Sequence, residues 1–192
     1  MSFISESQLA NYRSRTRIFL KSDIVFLNES STRIKTKPMV FLSHKHEELV
    51  ILQDTIAFLN TEGVDIYVDW MDEEMPAYTN ANTALRLKEK IKIANKFVLV
   101  ATPNAIRSKW CNWELGLGDA AKYIENIALF PINRTHLSFS NAEYLKIYPY
   151  IEYENGNGKY LNGASISKGY YVKAPLVNGN KRLTPLKTWL TS

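Results

Sequence analysis

Between Ser108 and Gly118 the chain reads SKWCNWELGLG, which sets one carboxylate, Glu114, four residues after Trp110 and directly after Trp113. Positions i and i+4 share a helix face, so Trp110 and Glu114 project together if this stretch is helical. An aromatic surface beside an anion suits a substrate that carries a cationic ring and a sugar diol, because the ring rests on the indole face and the diol donates to the carboxylate. Such a site could cleave a charged nucleotide. The plainer alternative is a solvated glutamate on an amphipathic helix whose tryptophans belong to the core, and spacing alone does not separate the two.

Other residue types with chemical potential are less well placed. His44 and His46 stand two apart with acids following, but a metal site with an open position needs three ligands and the remaining histidine, His136, is distant, so no metal is expected. Cys111 is the single cysteine, which rules out an internal disulfide and a cysteine-based zinc cluster. As a nucleophile it would need a lowered pKa and a base that the sequence does not supply, so it reads as a small core residue. Ser43 and His44 are adjacent on a strand end and poorly disposed for a hydrolase dyad. Ser43 is either a donor to phosphate or ribose or a turn residue. GLGDAA, from Gly116 to Ala121, fits a dinucleotide fingerprint only by letters. That fingerprint follows a strand, whereas WCNWEL is helix already under way, so Gly116 and Gly118 are expected to pack closely on a neighbour.

The elements that must position these residues begin at Met39. MVFLS is a buried strand, followed by Leu49, Leu52, Ile56 and Leu59 at helical steps and by Gly63 where that helix would stop. VDIYVDW (64–70) is a second strand, and a helical stretch with Leu85, Leu87, Ile91 and Ala94 leads to KFVLVAT (96–102), the clearest strand in the chain. Ser108 caps the helix of Trp110 and Glu114, which is predicted to run to about Ile124, and ALFPI (128–132) is a fourth strand. Strands alternating with helices imply a parallel sheet with helices on both faces, and ligands then collect beyond the carboxyl ends of the strands. Those ends carry Ser43, His44 and Lys45, then Asp69 and Trp70, then Thr102 to Asn104. The connection from Met71 to Asn82 is long for a βα loop and reads as a lid or binding loop.

The flanks are plainer. Residues 5 to 20 suggest an extra helix, NESSTRIKTKP a linker, KIYPYIEY a strand, ENGNGKYLNG a turn or hairpin loop, and Thr184-Pro185 the start of a last short helix. The tyrosine-rich last third is expected to be a β-rich addition packed on the main sheet. With 192 residues, 45% hydrophobic and 22% charged, the chain fits one globular domain with elaborations. Its net charge of +5 is dispersed, which argues against a duplex-binding stripe while leaving a phosphate-bearing small molecule compatible. No apolar run is long enough for a signal peptide or a membrane span, so neither membrane nor nucleic acid is an expected partner and the cytoplasm is the expected location. The sequons at Asn28 and Asn133 are then chance matches.

FLSHKHEE after the first strand, YVDWMDEEMP after the second and SKWCNWELG opening the helix after the third together resemble a TIR domain over about residues 37 to 132. Among TIR proteins the pattern is similar to the TIR components of bacterial Thoeris antiphage systems. The resemblance implies an α/β, flavodoxin-like parallel sheet of four to five strands. To this the chain adds an N-terminal helical extension and linker (1–36) and a C-terminal elaboration (136–192) around a core at 37–135. It implies cleavage of the nicotinamide bond of NAD, with Glu114 in the catalytic place. Phe41, Ser43, His44 and Lys45 fall in the first-strand motif near the nucleotide, and Asp69, Trp70, Met71, Trp110 and Trp113 complete the implied binding set. Residues 70 to 76 fall in the loop that, in the family, gates the pocket and mediates self-association.

One carboxylate is enough for this reaction because nicotinamide is already cationic in NAD and departs neutral, so no general acid is required, unlike ordinary glycoside hydrolysis. NAD is then the substrate and no cofactor is expected. Water at C1′ would give ADP-ribose, whereas a pocket that folds the adenosine end back would give a cyclic ADP-ribose. The Thoeris resemblance implies the cyclic product, acting as a messenger to a separate NAD-consuming effector, ThsA. Two alternatives stay open: a non-catalytic TIR scaffold that works by protein–protein assembly, and a nucleoside-processing enzyme that would need further carboxylates, for which Asp69 and Asp72 are available.

Overall fold

In the central strands, successive side chains enter two different cores. Val40, Leu42, Val98, Val100, Ala128 and Phe130 belong to one buried cluster, while Phe41, Phe97, Leu99, Ile127 and Leu129 belong to the other. This period of two, with both faces covered, is why these strands read as continuous apolar runs. The computed structural model describes residues 2–13, 37–69, 80–133 and 143–192.

In chain order the elements are β1 (Ile4–Ser5), α1 (Glu6–Arg13), β2 (Met39–Ser43), α2 (Leu49–Thr61), β3 (Asp65–Tyr67), α3 (Ala81–Ile93), β4 (Lys96–Ala101), α4 (Pro103–Arg107), α5 (Lys109–Ala121), β5 (Ile127–Asn133), β6 (Tyr150–Glu154), β7 (Gly169–Pro175), β8 (Lys181–Pro185) and α6 (Leu186–Thr191). They build one sheet of order β3-β2-β4-β5-β6-β7-β8. Strands β2 to β6 pair in parallel, and β7 and β8 add antiparallel strands at the far edge. The short β1 lies parallel to the end of β5, with Ile4 level with Ile132, and Ser2 bridges Tyr153 of β6. This is the expected mixed α/β architecture, with helices on both faces and a β-rich C-terminal addition.

One face is covered by α1, α2 and α6 through Leu9, Leu52, Phe58, Leu59, Trp189 and Leu190. The other is covered by α3 and α5 through Leu87, Ile91, Cys111 and Leu115. Ser43, in step with Phe41 along β2, therefore lies on the α5 side. Helix α1 is tied to α2 by an edge-to-face contact of Tyr12 on Phe58, centroids 4.9 Å apart, and by Arg13 Nε at 2.8 Å from Asp54. Of the helix expected at residues 5 to 20, the part from Glu6 to Arg13 is described and the remainder lies outside the described residues. The same holds for most of the linker before Lys37 and for residues 70–79 of the expected lid loop.

Helix boundaries follow local chemistry. Gly63 takes φ +85° directly after α2, a conformation only glycine adopts without strain. Asn80 caps α3 with a capping box shared with Thr83, so this helix begins slightly before the expected Asn82. Helix α5 stops at Ala121, short of Ile124, because Lys122 turns to an extended conformation. Gly118 and Gly116, both inside α5, differ. A Cβ on Gly118 would stand 3.0 Å from the Phe97 ring, whereas one on Gly116 would meet nothing within 4 Å. Close packing explains Gly118 only, and the expectation for Gly116 is corrected. Gly118→Val should therefore cost about 1–3 kcal/mol by overpacking, and Gly116→Ala should add about 0.5–1 kcal/mol of helix propensity, both read from denaturant melts.

Candidate active site

The carboxyl ends of β2, β3 and β4 meet the first turns of α5. Ser108 caps α5 by accepting from the Cys111 amide at 3.3 Å. One turn later the Cys111 thiol donates to the His44 carbonyl at 3.2 Å. That contact seats the helix on the end of β2 and fixes the next residue on the same face, Glu114, against Ser43. Ser43 Oγ donates to Glu114 Oε2 at 2.5 Å, a short hydrogen bond.

Glu114 is 2% exposed. Burial, and secondarily the like charge of Asp69, push its pKa up to about 8, against the opposing pull of the Ser43 hydroxyl, His46 and the Trp110 N–H. An acid so placed is mostly neutral at pH 7. Trp110 Nε1 is buried without a hydrogen bond of full geometry; its N–H still favours the carboxylate electrostatically, as expected for residues one turn apart. The Trp110 and Trp113 rings lie 4.8 Å apart, tilted by 33°, and both are half-buried beside the acid.

Asp69 is brought to the same place because β2 and β3 are parallel and in register, Phe41 beside Tyr67. Asp69 follows two residues after the end of β3, close enough for its charge to act on Glu114. Asp69 Oδ2 pairs with His46 Nε2 at 3.0 Å, and Oδ1 lies 4.0 Å from His44 Nδ1. Burial lowers the His44 pKa to about 4, so it is a neutral imidazole. The hydrogen bond to Asp69 raises that of His46.

At the end of β4, Thr102 caps α4 and donates a very short hydrogen bond to Glu48, which also accepts from Asn104 Nδ2 at 2.9 Å. The polar strand ends do converge, with Glu48 as the link.

Not every residue of the expected set has the same role. Ser43, Asp69 and Trp110 act directly on Glu114, with His44 beside Asp69 and Trp113 beside Trp110. Phe41 is 1% exposed and stacked against Phe97 at 5.4 Å, inside the core on the α5 side. Lys45 pairs with Glu47 at 2.8 Å near the surface. Trp70 and Met71 lie outside the described residues. The Cys111 thiol is buried and burial pushes it up to about 11, which fits a core residue. The sequence reading missed His46 and Glu48 as members of this polar cluster. The signal available for His46 was the strand register that brings Asp69 alongside; for Glu48 nothing in the sequence pointed to Thr102.

A family described as TIR domain matches residues 40–161. The chain belongs to the TIR domain family. The match takes in β6 beyond the four strands that carry the sequence motifs, so the TIR sheet includes the fifth parallel strand. The chain is also 27% identical over 116 residues to a probable 3′ cyclic ADP-D-ribose synthase, ThsB′, of Bacillus cereus (strain MSX-D12). That similarity covers 58% of this TIR protein and 59% of the relative, so the chain spans a little over half the length of the curated relative it matches. No described helix is long and apolar enough to cross a membrane.

Proposed function

We propose that this TIR protein cleaves the nicotinamide N-glycosidic bond of NAD at Glu114 and closes the remainder into a cyclic ADP-ribose isomer. The observation that carries the reading is a 2% exposed glutamate held by a serine hydroxyl, with its pKa driven up at a strand-end site. A surface carboxylate on a scaffold helix has no need of such a setting.

When NAD docks, its pyridinium brings a positive charge to the site and the ribose diol brings two donors; both favour the ionised form of Glu114. The carboxylate then accepts from the 2′- and 3′-hydroxyls and faces the positive charge that develops at C1′ as the bond breaks. Electrostatic stabilisation of this kind is worth roughly 3–4 kcal/mol. The C1′–N bonding pair leaves with nicotinamide, which becomes neutral. An atom at the adenosine end attacks C1′ as the C1′–N bond breaks and its proton passes to solvent, so the ring closes without adding water. The indole faces of Trp110 and Trp113 add about 0.5–2 kcal/mol by cation–π contact with the pyridinium.

Following the resemblance of its motifs to Thoeris TIR components, the cyclic nucleotide would act as an antiphage signal in the cytoplasm to an effector NADase of the ThsA type, and the protein would self-associate through its β3–α3 connection. The test incubates NAD with purified protein and with lysate from phage-challenged cells expressing it, followed by mass spectrometry. The expected result is nicotinamide together with a nucleotide lighter than ADP-ribose by one water. Intact NAD in both preparations would overturn the reading and leave the assembly scaffold.

A further inference from the structure

Asp69, His44 and His46 have a second arrangement in common. Among the described residues they form one group of three potential metal ligands, with one donor atom from each, all within 4.8 Å of one another. Two donors come from the residues just after β2 and one from just after β3, so parallel pairing brings together what sequence distance separates.

We infer that His44, His46 and Asp69 form a binding site for a divalent first-row transition ion of the zinc class, on the shoulder of the Glu114 site. In a tetrahedral zinc site with bonds of about 2.0–2.1 Å, ligand atoms stand roughly 3.3 Å apart. His46 Nε2 stands 3.0 Å from Asp69 Oδ2 and His44 Nδ1 stands 4.0 Å from Asp69 Oδ1, so each imidazole turns one nitrogen toward the carboxylate at a separation close to that spacing. The two Asp69 oxygens already face different imidazoles, so the carboxylate spans the site.

A simple ion pair accounts for His46 and Asp69 but leaves His44 unexplained. That ring is 4% exposed and stands 5.2 Å from His46, centroid to centroid. Its Nε2 is buried with no hydrogen-bond partner, although buried polar atoms are ordinarily satisfied. Two imidazoles and one carboxylate make a borderline-soft donor set that selects Zn²⁺, Co²⁺ or Ni²⁺ over Mg²⁺ and Ca²⁺. Three protein ligands leave a fourth position open. His46, with its side chain 52% exposed, is the ligand on the solvent side, through which an ion can enter. Bound there, the ion would clamp the end of β2 to the end of β3. The inference is independent of what Glu114 does to a nucleotide.

The test titrates chelator-stripped, full-length protein with Zn²⁺ against a chromophoric indicator, and with Co²⁺ by visible absorption. The set compares wild type, His46→Ala, Asp69→Asn and the control His136→Ala. His46→Ala removes a half-exposed side chain, so its fold is verifiable by its melt in chelator. The expected result is one ion per chain, a Co²⁺ spectrum of four-coordinate type and a raised melting midpoint. Affinity should fall tenfold or more in His46→Ala and in Asp69→Asn, stay unchanged in His136→Ala, and not respond to millimolar Mg²⁺. Affinity that falls less than tenfold in both ligand variants, or no uptake by the wild type, would overturn it.

Discussion

Glu114→Gln should reduce nicotinamide release from NAD by about 10³-fold or more while making the folded protein more stable above neutral pH. The first effect follows from charge. Glutamine keeps the size of the side chain and an oxygen for the Ser43 hydroxyl, but it has no negative charge to set against the cation forming at C1′. Removing one such electrostatic partner costs on the order of 10²–10³ in rate, and here the only one in the mechanism is removed. The second effect follows from linkage. The folded-state pKa of Glu114 is raised from 4.5 to about 8, so between those values the folded protein holds a proton that the unfolded chain has released. Stability therefore falls as pH rises through that window, and the loss is complete above it. At about 1.4 kcal/mol per pKa unit the full penalty is bounded at roughly 4–5 kcal/mol, and glutamine does not incur it. Melting midpoints of the two proteins should coincide near pH 4.5 and separate progressively up to pH 8, with the variant higher. A variant that loses activity because it is misfolded would show the opposite order.

The pH dependence of wild-type kcat/KM should carry the same group. If the ionised carboxylate is the working form and the free protein is mostly protonated below pH 8, kcat/KM rises close to tenfold per unit on the acid side and levels off above about 8. Between pH 6 and pH 8 that amounts to roughly 50-fold. Measuring in chelator keeps any metal at His44, His46 and Asp69 out of the comparison. Because the like charge of Asp69 is the second cause of the raised pKa, Asp69→Asn should move the acid limb to lower pH. A profile flat from pH 6 to 8 would show that the ionisation of Glu114 does not limit the reaction.

These expectations rest on an arrangement that was partly legible in the sequence. The alternation of MVFLS and KFVLVAT with helical stretches was sufficient for a parallel sheet, because buried parallel strands need apolar residues on both faces. Ser108 at the start of α5 and Gly63 at the end of α2 were readable as caps, since each local conformation selects its residue type. The i,i+4 relation placed Trp110 beside Glu114. What could not be read was long-range. The bond from Ser43 to Glu114 joins residues 71 apart in sequence, and the position of Asp69 depends on a strand register that no local pattern specifies. The same register brings a third donor to His44 and His46, which the sequence reading set aside for want of another nearby histidine. The segment at β1 was invisible because its two residues pair with the end of β5 without any periodicity of their own. Gly116 shows the converse error: a glycine beside a truly packed one was given the same reason.

The central claim is that Glu114 is a buried acid, neutral in the free protein and converted to the carboxylate by a docked pyridinium nucleotide. The direct measurement is carboxyl ¹³C NMR of glutamate-labelled protein, with the Glu114 resonance assigned by its absence in Glu114→Gln, titrated with and without a non-hydrolysable NAD analogue. A resonance that titrates near pH 8 in the free protein, and is already that of a carboxylate at pH 7 once the analogue binds, is the predicted result. A Glu114 signal that titrates near 4.5 and does not respond to the nucleotide would contradict the account.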